Sequence, residues 1–283
     1  MPDNERVYKA NQRYDHGYFR TCLVMIRSFI QYRELVWQLY RRDLLANYKK
    51  SYFGAAWIVL TPLMGIVSWV FMHQTGLLRP GVQGIPYPAY LLIGASMWGL
   101  FMGCYKSSSQ TLTAARSLVM QVSFPREVFL FEKILLQLTN FGVALLLNLL
   151  VILLFGVIPS RGIFLLPLVV LPMIFFASAI GLLVSMIAIV AENFSKLIHT
   201  FIGLTFWITP ILYSDKLDKS WAQILVHWNP LTYLVCSARD VIIYGRLYGS
   251  TGYWICAALS FILFVFSWRA FYISEPKILE RMI

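Results

Sequence analysis

The side chains of this chain that could do acid–base or nucleophilic chemistry are few and lie far apart. Glu127, Glu132 and Glu192 are scattered along the sequence and form no acidic cluster of the kind a membrane enzyme needs. His73 and His199 fall near the ends of apolar segments, and we interpret them as interface residues. The 4 cysteines show neither paired spacing nor a nearby histidine, so neither a zinc site nor a disulfide framework is indicated. We therefore expect no catalytic residue and no metal site.

The chain also lacks the residues that would let it capture energy by itself. No segment matches the phosphate-binding sequence GxxxxGK[ST], so the chain has no P-loop of its own for ATP. A carrier driven by protons or sodium ions would place acids in mid-membrane. Residues 53–72, 134–158, 163–190 and 252–268, however, contain no Asp, Glu, Lys or Arg. We expect no cofactor in this chain and a source of energy outside it.

Composition places the chain in a membrane. It is 59% hydrophobic and 13% charged, with a mean hydropathy of +0.66, whereas soluble domains are usually about 25% charged. A net charge of +11 could suggest nucleic acid, but cations in a membrane protein are first expected at its cytoplasmic faces. Most Lys and Arg do fall on the cytoplasmic side of the topology derived below. No nucleic-acid partner is therefore expected.

Six apolar segments have the length, about twenty residues, that crosses a hydrocarbon core of about 30 Å. Basic residues just ahead of the first segment hold that end in the cytoplasm, and an even number of crossings returns the C-terminus to the same side. The sequence therefore predicts an all-α integral membrane fold, with residues 1–51 cytoplasmic and a transmembrane domain at 52–283. The six predicted spans are residues 52–73, 88–107, 133–157, 163–190, 197–213 and 251–271.

Ahead of the first span, residues 18–45 show a helical period with one apolar and one charged face. We expect this amphipathic helix to lie flat in the cytoplasmic interface, with its cations toward anionic headgroups. Membrane lipids are thus an expected partner. The charged residues that mark the crossing into the first span are Arg33, Arg41, Arg42, Asp43, Lys49 and Lys50.

The loop after the second span is internal in this topology and carries a charged break at 121–130. Its centre is Phe124, Pro125, Arg126 and Glu127. Pro125 suits the first position of a helix, and Glu127 in the first turn complements the helix dipole. We expect a short charged helix that projects into the cytoplasm, and an ordinary reversing loop is the alternative.

The segment at 214–250 contains two helices that are too short to span. The first covers residues 221–228. Asn229 and Pro230 then supply an N-cap and a proline at the first helical position, and Gly245 is a favoured helix stop. The pattern predicts an external re-entrant helical hairpin before the last span.

Two charges in the second of these helices, Arg239 and Asp240, would be costly in lipid. We expect them to face protein, water or each other. Together with Asn229 and Pro230, they are our candidates for an external gate. A lid that never moves is the alternative.

The residues around the first span resemble one known family. Arg-Asp-Leu at 42–44 is followed by Tyr-Lys-Lys-Ser at 48–51, by a Gly three residues before Trp57, and by Thr-Pro at 61–62. This arrangement resembles the N-terminal signature of polysaccharide-export permeases of the ABC-transporter superfamily. The break at 124–127 is similar to the coupling helix of that family, which docks on the ATPase. The paired short helices are similar to those at its exit.

The resemblance implies partners and a cargo for a chain that is a transport subunit rather than an enzyme. It implies a homodimer of this chain with two copies of a separate ATP-binding subunit, which hold ATP and magnesium. The implied cargo is a lipid-linked polysaccharide, such as O-antigen, capsule or teichoic acid. It would leave the cytoplasm through a multi-pass protein of the bacterial inner (plasma) membrane.

Aromatic residues make up 16% of the chain and fit such a cargo. Trp and Tyr ordinarily populate both membrane interfaces, and that explanation holds for any one of them. An aromatic conduit would also suit a polymer, because sugar rings offer C–H faces that stack on aromatic side chains. The conduit candidates in spans one, two and five are Trp57, Trp69, Phe71, Tyr90, Trp98, Phe206, Trp207 and Tyr213.

Two other functions remain open from the sequence. A related permease could export a drug or another small hydrophobic molecule with the same fold. A protein of another class, a membrane glycosyltransferase or an assembly scaffold without transport, would need an acidic cluster or a large polar domain. The aromatic content and the long amphipathic N-terminus favour the polymer.

Overall fold

A computed structural model of the chain describes residues 17–49, 64, 67, 71–72, 74–76, 85–112, 127–215, 217 and 219–280. Within these residues the secondary structure is helical, with turns and short irregular connections and no strand. This agrees with the all-α prediction. A chain in lipid must satisfy its backbone N–H and C=O groups internally, and a helix does so within one segment.

The described helices follow the chain in an order close to the predicted one. Their bounds are α1 (Tyr18–Gln31), α2 (Arg33–Lys49), α3 (Tyr87–Ser109), α4 (Glu127–Leu154), a 3₁₀ helix (Arg161–Leu165), α5 (Leu166–Val190), α6 (Glu192–Ile208), α7 (Ser220–Trp228), α8 (Pro230–Tyr244) and α9 (Ser250–Glu280). The helices α7 and α8, with 9 and 15 residues, match the two predicted short helices to within one residue. Their re-entry into the membrane stays a prediction.

Three described helical segments are long and apolar enough to cross a membrane: Val128–Leu154, Arg161–Val190 and Ser250–Ser274. They correspond to the predicted third, fourth and sixth spans. The counterparts of the second and fifth spans are α3, with 23 residues, and α6, with 17. The predicted first span lies almost wholly outside the described residues, so the total of six spans stays a prediction.

The helix at the centre of the described bundle is α5, which packs against α3, α6, α8 and α9; α3 also packs against α4. At the α3–α5 contact, a Cβ added to Gly181 would lie 2.5 Å from the carbonyl oxygen of Tyr105 and 2.6 Å from Cβ of Ser108. Only glycine permits this approach. Small residues at such contacts matter in lipid because helices there associate through close packing rather than through the hydrophobic effect.

Large apolar side chains are exposed along the helices that surround this core. Leu146 and Leu150 on α4 are 65% and 60% exposed, and Trp254 and Ile262 on α9 are 61% and 63% exposed. A soluble monomer rarely shows apolar surface of this extent. The same surface is the expected one for helices that face lipid.

The predicted single helix over 18–45 is instead two helices. Tyr32, with φ −100° and ψ 17°, interrupts the helix between α1 and α2. Its N–H still donates to the Ser28 carbonyl, 2.9 Å, and the Val36 N–H donates to the Tyr32 carbonyl, 3.0 Å. The break is therefore a bend that keeps the hydrogen-bond ladder. Its physical reason is Arg33, a charge in the apolar stripe, which the bend leaves exposed.

The short helix predicted to project from the internal loop is not separate where the structure describes it. Residues from Glu127 onward form the first turns of α4, which continues to Leu154. Val128, Leu130 and Glu132 are buried, each 1% exposed or less. The apolar side chains at 128–130 explain this packing. The sequence analysis gave more weight to the charges at 126 and 127 than to these apolar residues.

The predicted fifth span, 197–213, is also interrupted. α6 ends at Ile208, and Thr209 is extended, with φ −81° and ψ 132°. Thr209 precedes Pro210, and a residue before proline is biased away from helical geometry. Residues 209–213 therefore leave the helix, and their backbone must find other partners.

Candidate functional site

The residues 209–213, which we call the α6 elbow, form the centre of the candidate site. The Tyr213 hydroxyl folds back and donates to the carbonyls of Trp207 and Ile208, at 3.0 and 2.7 Å. The last carbonyls of a helix have no partner within the helix. Tyr213 thus caps the end of α6 with a side chain from beyond the helix.

Two tyrosines of α3 bind the elbow from one side. The Tyr87 hydroxyl donates to the Leu212 carbonyl, 3.2 Å, and the Tyr90 hydroxyl donates to the carbonyls of Pro210 and Tyr213, 3.3 and 2.7 Å. Both tyrosines are buried. A hydrogen bond of this kind contributes about 1 kcal/mol net, but a buried carbonyl left unpaired costs about 1–3 kcal/mol. The irregular elbow therefore depends on these donors.

Arg239 of α8 binds the elbow from the other side. Its guanidinium donates to the Pro210 carbonyl, 3.1 Å, and to the Cys236 sulfur, 3.2 Å. Its Cζ atom also lies 3.7 Å from the centre of the Tyr90 ring, a cation–π contact. The sequence analysis expected Arg239 to face protein, water or Asp240. Arg239 is 5% exposed and faces protein. We call Tyr87, Tyr90 and Arg239 the elbow clamp.

The start of α8 is attached to the same elbow. As the sequence predicts, Asn229 caps α8, and its Oδ1 accepts from the Leu231 N–H, 3.0 Å. Its Nδ2 donates to the Thr209 hydroxyl, 2.9 Å. Pro230 is the first residue of α8, and Gly245 ends the helix in the left-handed conformation, with φ 68° and ψ 21°. The predicted gate residues Asn229 and Arg239 therefore both contact residues 209–210.

A ladder of aromatic rings continues from the clamp along the same face of α3. The ring centroids of Trp98 and Phe206 are 5.3 Å apart, and those of Phe206 and Trp207 are 5.5 Å apart. On the other side of Trp98, its ring lies 5.4 Å from that of Phe101, which lies 6.4 Å from that of Tyr105. Within the ladder, Trp207 alone is largely exposed, at 60%.

A second polar cluster joins α2 to α4. The Lys133 ammonium donates to the Asp43 carboxylate, 2.6 Å, and lies 3.3 Å from the Glu132 carboxylate. Arg42 donates to the other Asp43 oxygen, 2.8 Å. Burial would raise the pKa of the Asp43 carboxyl, but the hydrogen bonds from Lys133 and Arg42 outweigh it and hold this pKa below its usual 3.8. Asp43 is thus an ionised link between two helices.

Two further contacts strengthen this junction. The hydroxyls of Tyr40 and Thr139 lie 2.9 Å apart. The rings of Phe29 on α1 and Phe131 on α4 have centroids 4.5 Å apart. Both N-terminal helices are therefore attached to the first turns of α4.

The remaining predicted site residues fall into three groups. Arg33, Arg41 and Arg42 are exposed on α2, Phe71 is 62% exposed, and Asp240 is half-buried. Lys49 ends α2 and Glu127 begins α4, and only their backbone is described. The predicted site residues outside the described residues are Lys50, Trp57, Trp69, Phe124, Pro125 and Arg126.

The structure adds residues that the sequence analysis did not select. Tyr87 shares the clamp with Tyr90, and its spacing of three residues on one helix face was the available signal. Lys133 had no such signal, because its partner Asp43 lies 90 residues away in sequence. The sequence analysis gave the cysteines no role, whereas the Cys236 sulfur accepts a hydrogen bond from Arg239.

Comparison with known proteins identifies the family. A family model described as "ABC-2 type transporter" matches residues 34–243 of the chain, which include the helices of the elbow clamp and the Asp43 cluster. The chain belongs to the ABC-2 type transporter family. This ABC-2 chain is a membrane transport subunit, and family membership implies an ABC ATP-binding partner.

Curated relatives of this ABC-2 chain carry a more specific name. It is 26% identical over 255 residues to the O-antigen export system permease protein RfbA of Myxococcus xanthus, a match that covers 89% of this chain and 96% of the relative. It is 24% identical over 237 residues to an RfbA permease of Klebsiella pneumoniae, covering 83% and 85% of the two chains. A second Klebsiella pneumoniae RfbA matches to the same extent.

Proposed function

We propose that this ABC-2 chain is the membrane subunit of an ATP-driven exporter of lipid-linked polysaccharide. The observation that carries the proposal is the near-full-length similarity to O-antigen export permeases, since the match covers 96% of the Myxococcus xanthus protein. A match of that extent leaves no large segment of the relative without a counterpart. The cargo class is O-antigen or a related lipid-linked polymer.

The assembly that this function requires is a dimer. Six helices are too few to enclose a polymer conduit, and the chain has no P-loop. Two copies of this chain with two ATP-binding subunits would supply the enclosure and the hydrolysis, with ATP and magnesium held by the partners. We place the complex in the bacterial inner (plasma) membrane, with both termini of this chain cytoplasmic.

The aromatic ladder suits the proposed cargo. Trp98, Phe206 and Trp207 form a row of rings, of which Trp207 offers the largest exposed face. The apolar faces of sugar rings can slide along such a row without a fixed polar site for each hydroxyl. This row favours the polymer over a compact drug, which would be better held by an enclosed pocket.

Two further parts of the chain take roles in this proposal. Phe124, Pro125, Arg126 and Glu127 contact the ATPase, because α4 begins at Glu127 and would receive their displacement. The pair α7–α8, with Asn229, Pro230, Arg239 and Asp240, forms the external gate. Its attachment to the α6 elbow supports this role, because the elbow directly follows α6, which carries Phe206 and Trp207 of the aromatic ladder.

Deletion of the gene in the source bacterium tests the cargo. We expect the lipid-linked polysaccharide to accumulate in the cytoplasmic leaflet while the surface polymer is lost, and a plasmid copy to restore export. Chromatography of the lipid-linked fraction and surface staining measure both pools.

The rival functions give different outcomes in the same deletion. A glycosyltransferase or an assembly scaffold would leave no completed polymer to accumulate. A drug exporter would leave the surface polymer intact and would instead raise sensitivity to a hydrophobic toxin. Either result would contradict polysaccharide export.

A further inference from the structure

The α6 elbow lies close against α3 at Gly94, where both the side chain and the backbone of Ile211 approach the helix. A Cβ added to Gly94 would lie 3.3 Å from the Ile211 carbonyl oxygen and 3.4 Å from its Cα. Ile211 is fully buried. Tyr87, Tyr90 and Gly94 stand at i, i+3 and i+7 on one face of α3. That face both touches the elbow and donates hydrogen bonds to it.

The hydrogen bond between Arg239 and the elbow stabilises both partners: it satisfies the Pro210 carbonyl and it stabilises the buried Arg239 cation. Arg239 donates to a carbonyl and a sulfur and lies over an aromatic ring, and the neighbouring Asp240 carboxylate adds an electrostatic attraction. A buried charge is tolerated only when such partners are held in place. The carboxyl end of α6, which carries the negative end of the helix dipole, adds to the stabilisation of the cation. Separation of the elbow from α8 would remove the Pro210 carbonyl from a cation that is 5% exposed.

The elbow is therefore held from both sides at adjacent residues. Tyr90 and Arg239 both donate to the Pro210 carbonyl, one from α3 and one from α8. Asn229 holds Thr209 at the start of α8. No single one of the three elements can leave without breaking bonds to the other two.

We propose that Arg239 is a positioning residue for export: it clamps Pro210 so that the α6 elbow, the adjoining end of α3 and α8 move as one body. This inference rests on the proposed function. It specifies how the external gate opens. The elbow, the end of α3 and α8 must then move together, and the pair α7–α8 does not separate from the end of α6. Arg239 acts through the elbow backbone and need not touch the cargo.

The test is a reversible crosslink that replaces the clamp. Gly94→Cys and Ile211→Cys place two sulfurs within disulfide reach, because the Cβ at 94 would already contact Ile211. The parent has its native cysteines replaced, with Cys236→Ser chosen to keep a polar partner for Arg239. Export and the ATPase rate are measured in the complete complex, in its oxidised and reduced forms.

Three results are expected from the crosslinked set. The oxidised double-cysteine parent exports within about twofold of its reduced form, because the joined parts do not separate. Arg239→Gln inserts normally but loses about tenfold in export. The disulfide restores most of that loss in Arg239→Gln, and reduction removes the gain. The matched control is Arg246→Gln, an exposed arginine beyond the end of α8, which exports normally.

The proposal is overturned if the crosslinked parent stops exporting, if Arg239→Gln exports normally, or if the disulfide fails to restore it. Should Arg239→Gln not reach the membrane, Tyr90→Phe removes one donor to Pro210 and keeps the ring under Arg239. We expect a two- to fivefold loss that the disulfide restores, and no loss would contradict the clamp. A wild-type complex that exports no polysaccharide contradicts the proposed function instead, and the ATPase rates then supply the same comparison of variants.

Discussion

The Lys133 ammonium of α4 lies 2.6 Å from the Asp43 carboxylate of α2. Asp43 belongs to the Arg-Asp-Leu sequence just before the first predicted span, and Lys133 lies six residues after the predicted contact with the ATPase. Because α4 is continuous from Glu127, a displacement of its first turn reaches α2 through this pair. The N-terminal helices are thus tied to the part of the chain that we expect to move.

We predict that the α2–α4 junction weakens in acid because of Asp43. Its pKa is held below 3.8 in the folded protein, so its contribution to stability is complete above that value and is lost as the pH falls through the depressed pKa. The unfolding temperature in detergent should fall as the pH is lowered from about 5 to about 3, and Asp43→Asn should show a smaller fall. An equal fall in the unfolding temperature of both proteins would show that Asp43 does not cause the loss of stability in acid.

We predict that α1 lies flat on the membrane. Arg27 and Ile30 are both exposed in the structure, Ile30 by 59%, so only lipid can protect one of them from a water-soluble thiol reagent. In membranes, a single cysteine at Arg27 should be labelled readily and one at Ile30 poorly. After transfer to a short peptide carrying the same segment, the two should react alike. Equal labelling in membranes would indicate a freely solvated helix.

We predict that Arg126 and Glu127 couple ATP hydrolysis to export. Substituting both with Ala should leave insertion and ATPase activity intact while export falls by at least about tenfold. The reason is that the substitution removes only the contact that transmits the movement of the ATP-binding subunit to this chain. A matched control is the exposed Glu192–Lys196 pair, whose charged groups lie 2.8 Å apart on α6. Substituting that pair should change export little. Normal export by the Arg126–Glu127 variant would show that coupling lies elsewhere.

We predict that Trp207 contacts the cargo. Trp207 and Trp254 are almost equally exposed, at 60% and 61%, but Trp207 belongs to the aromatic ladder and Trp254 lies on α9. Trp207→Ala should reduce the export rate about threefold or more, whereas Trp254→Ala should leave it unchanged, because a stacking ring is worth about 1 kcal/mol. Equal effects of the two substitutions would contradict a specific contact between Trp207 and the polymer.

Local chemistry allowed the ends of several elements to be predicted. α8 begins at Pro230 and stops before Gly245 as expected, because N-cap, proline and glycine signals act within a few residues. The bend at Tyr32 and the end of α6 at Ile208 were missed as boundaries. At Tyr32 the apolar period continues past the break, and a periodic pattern cannot show where the backbone leaves the helix. At Ile208 a local signal was present, because Thr209 precedes Pro210, but the predicted span was extended along the apolar period to residue 213.

The clamp could not be predicted, because its bonds join distant parts of the chain. The Tyr90 hydroxyl and the Pro210 carbonyl are 120 residues apart in sequence. Arg239 looked like half of a pair with Asp240 because adjacent charges are visible in a sequence. The broken end of α6, which supplies its carbonyl partner, is visible only in three dimensions.

The most direct test of the central claim is transport by the purified complex. This chain and its ATP-binding partner are reconstituted in vesicles with lipid-linked polysaccharide, oriented so that the ATPase faces outward. We predict that ATP makes the polymer inaccessible to an added glycosidase as it enters the lumen, and that a non-hydrolysable ATP analogue does not. Steady ATP hydrolysis with no protected polymer, while a small hydrophobic dye is moved instead, would contradict polysaccharide export.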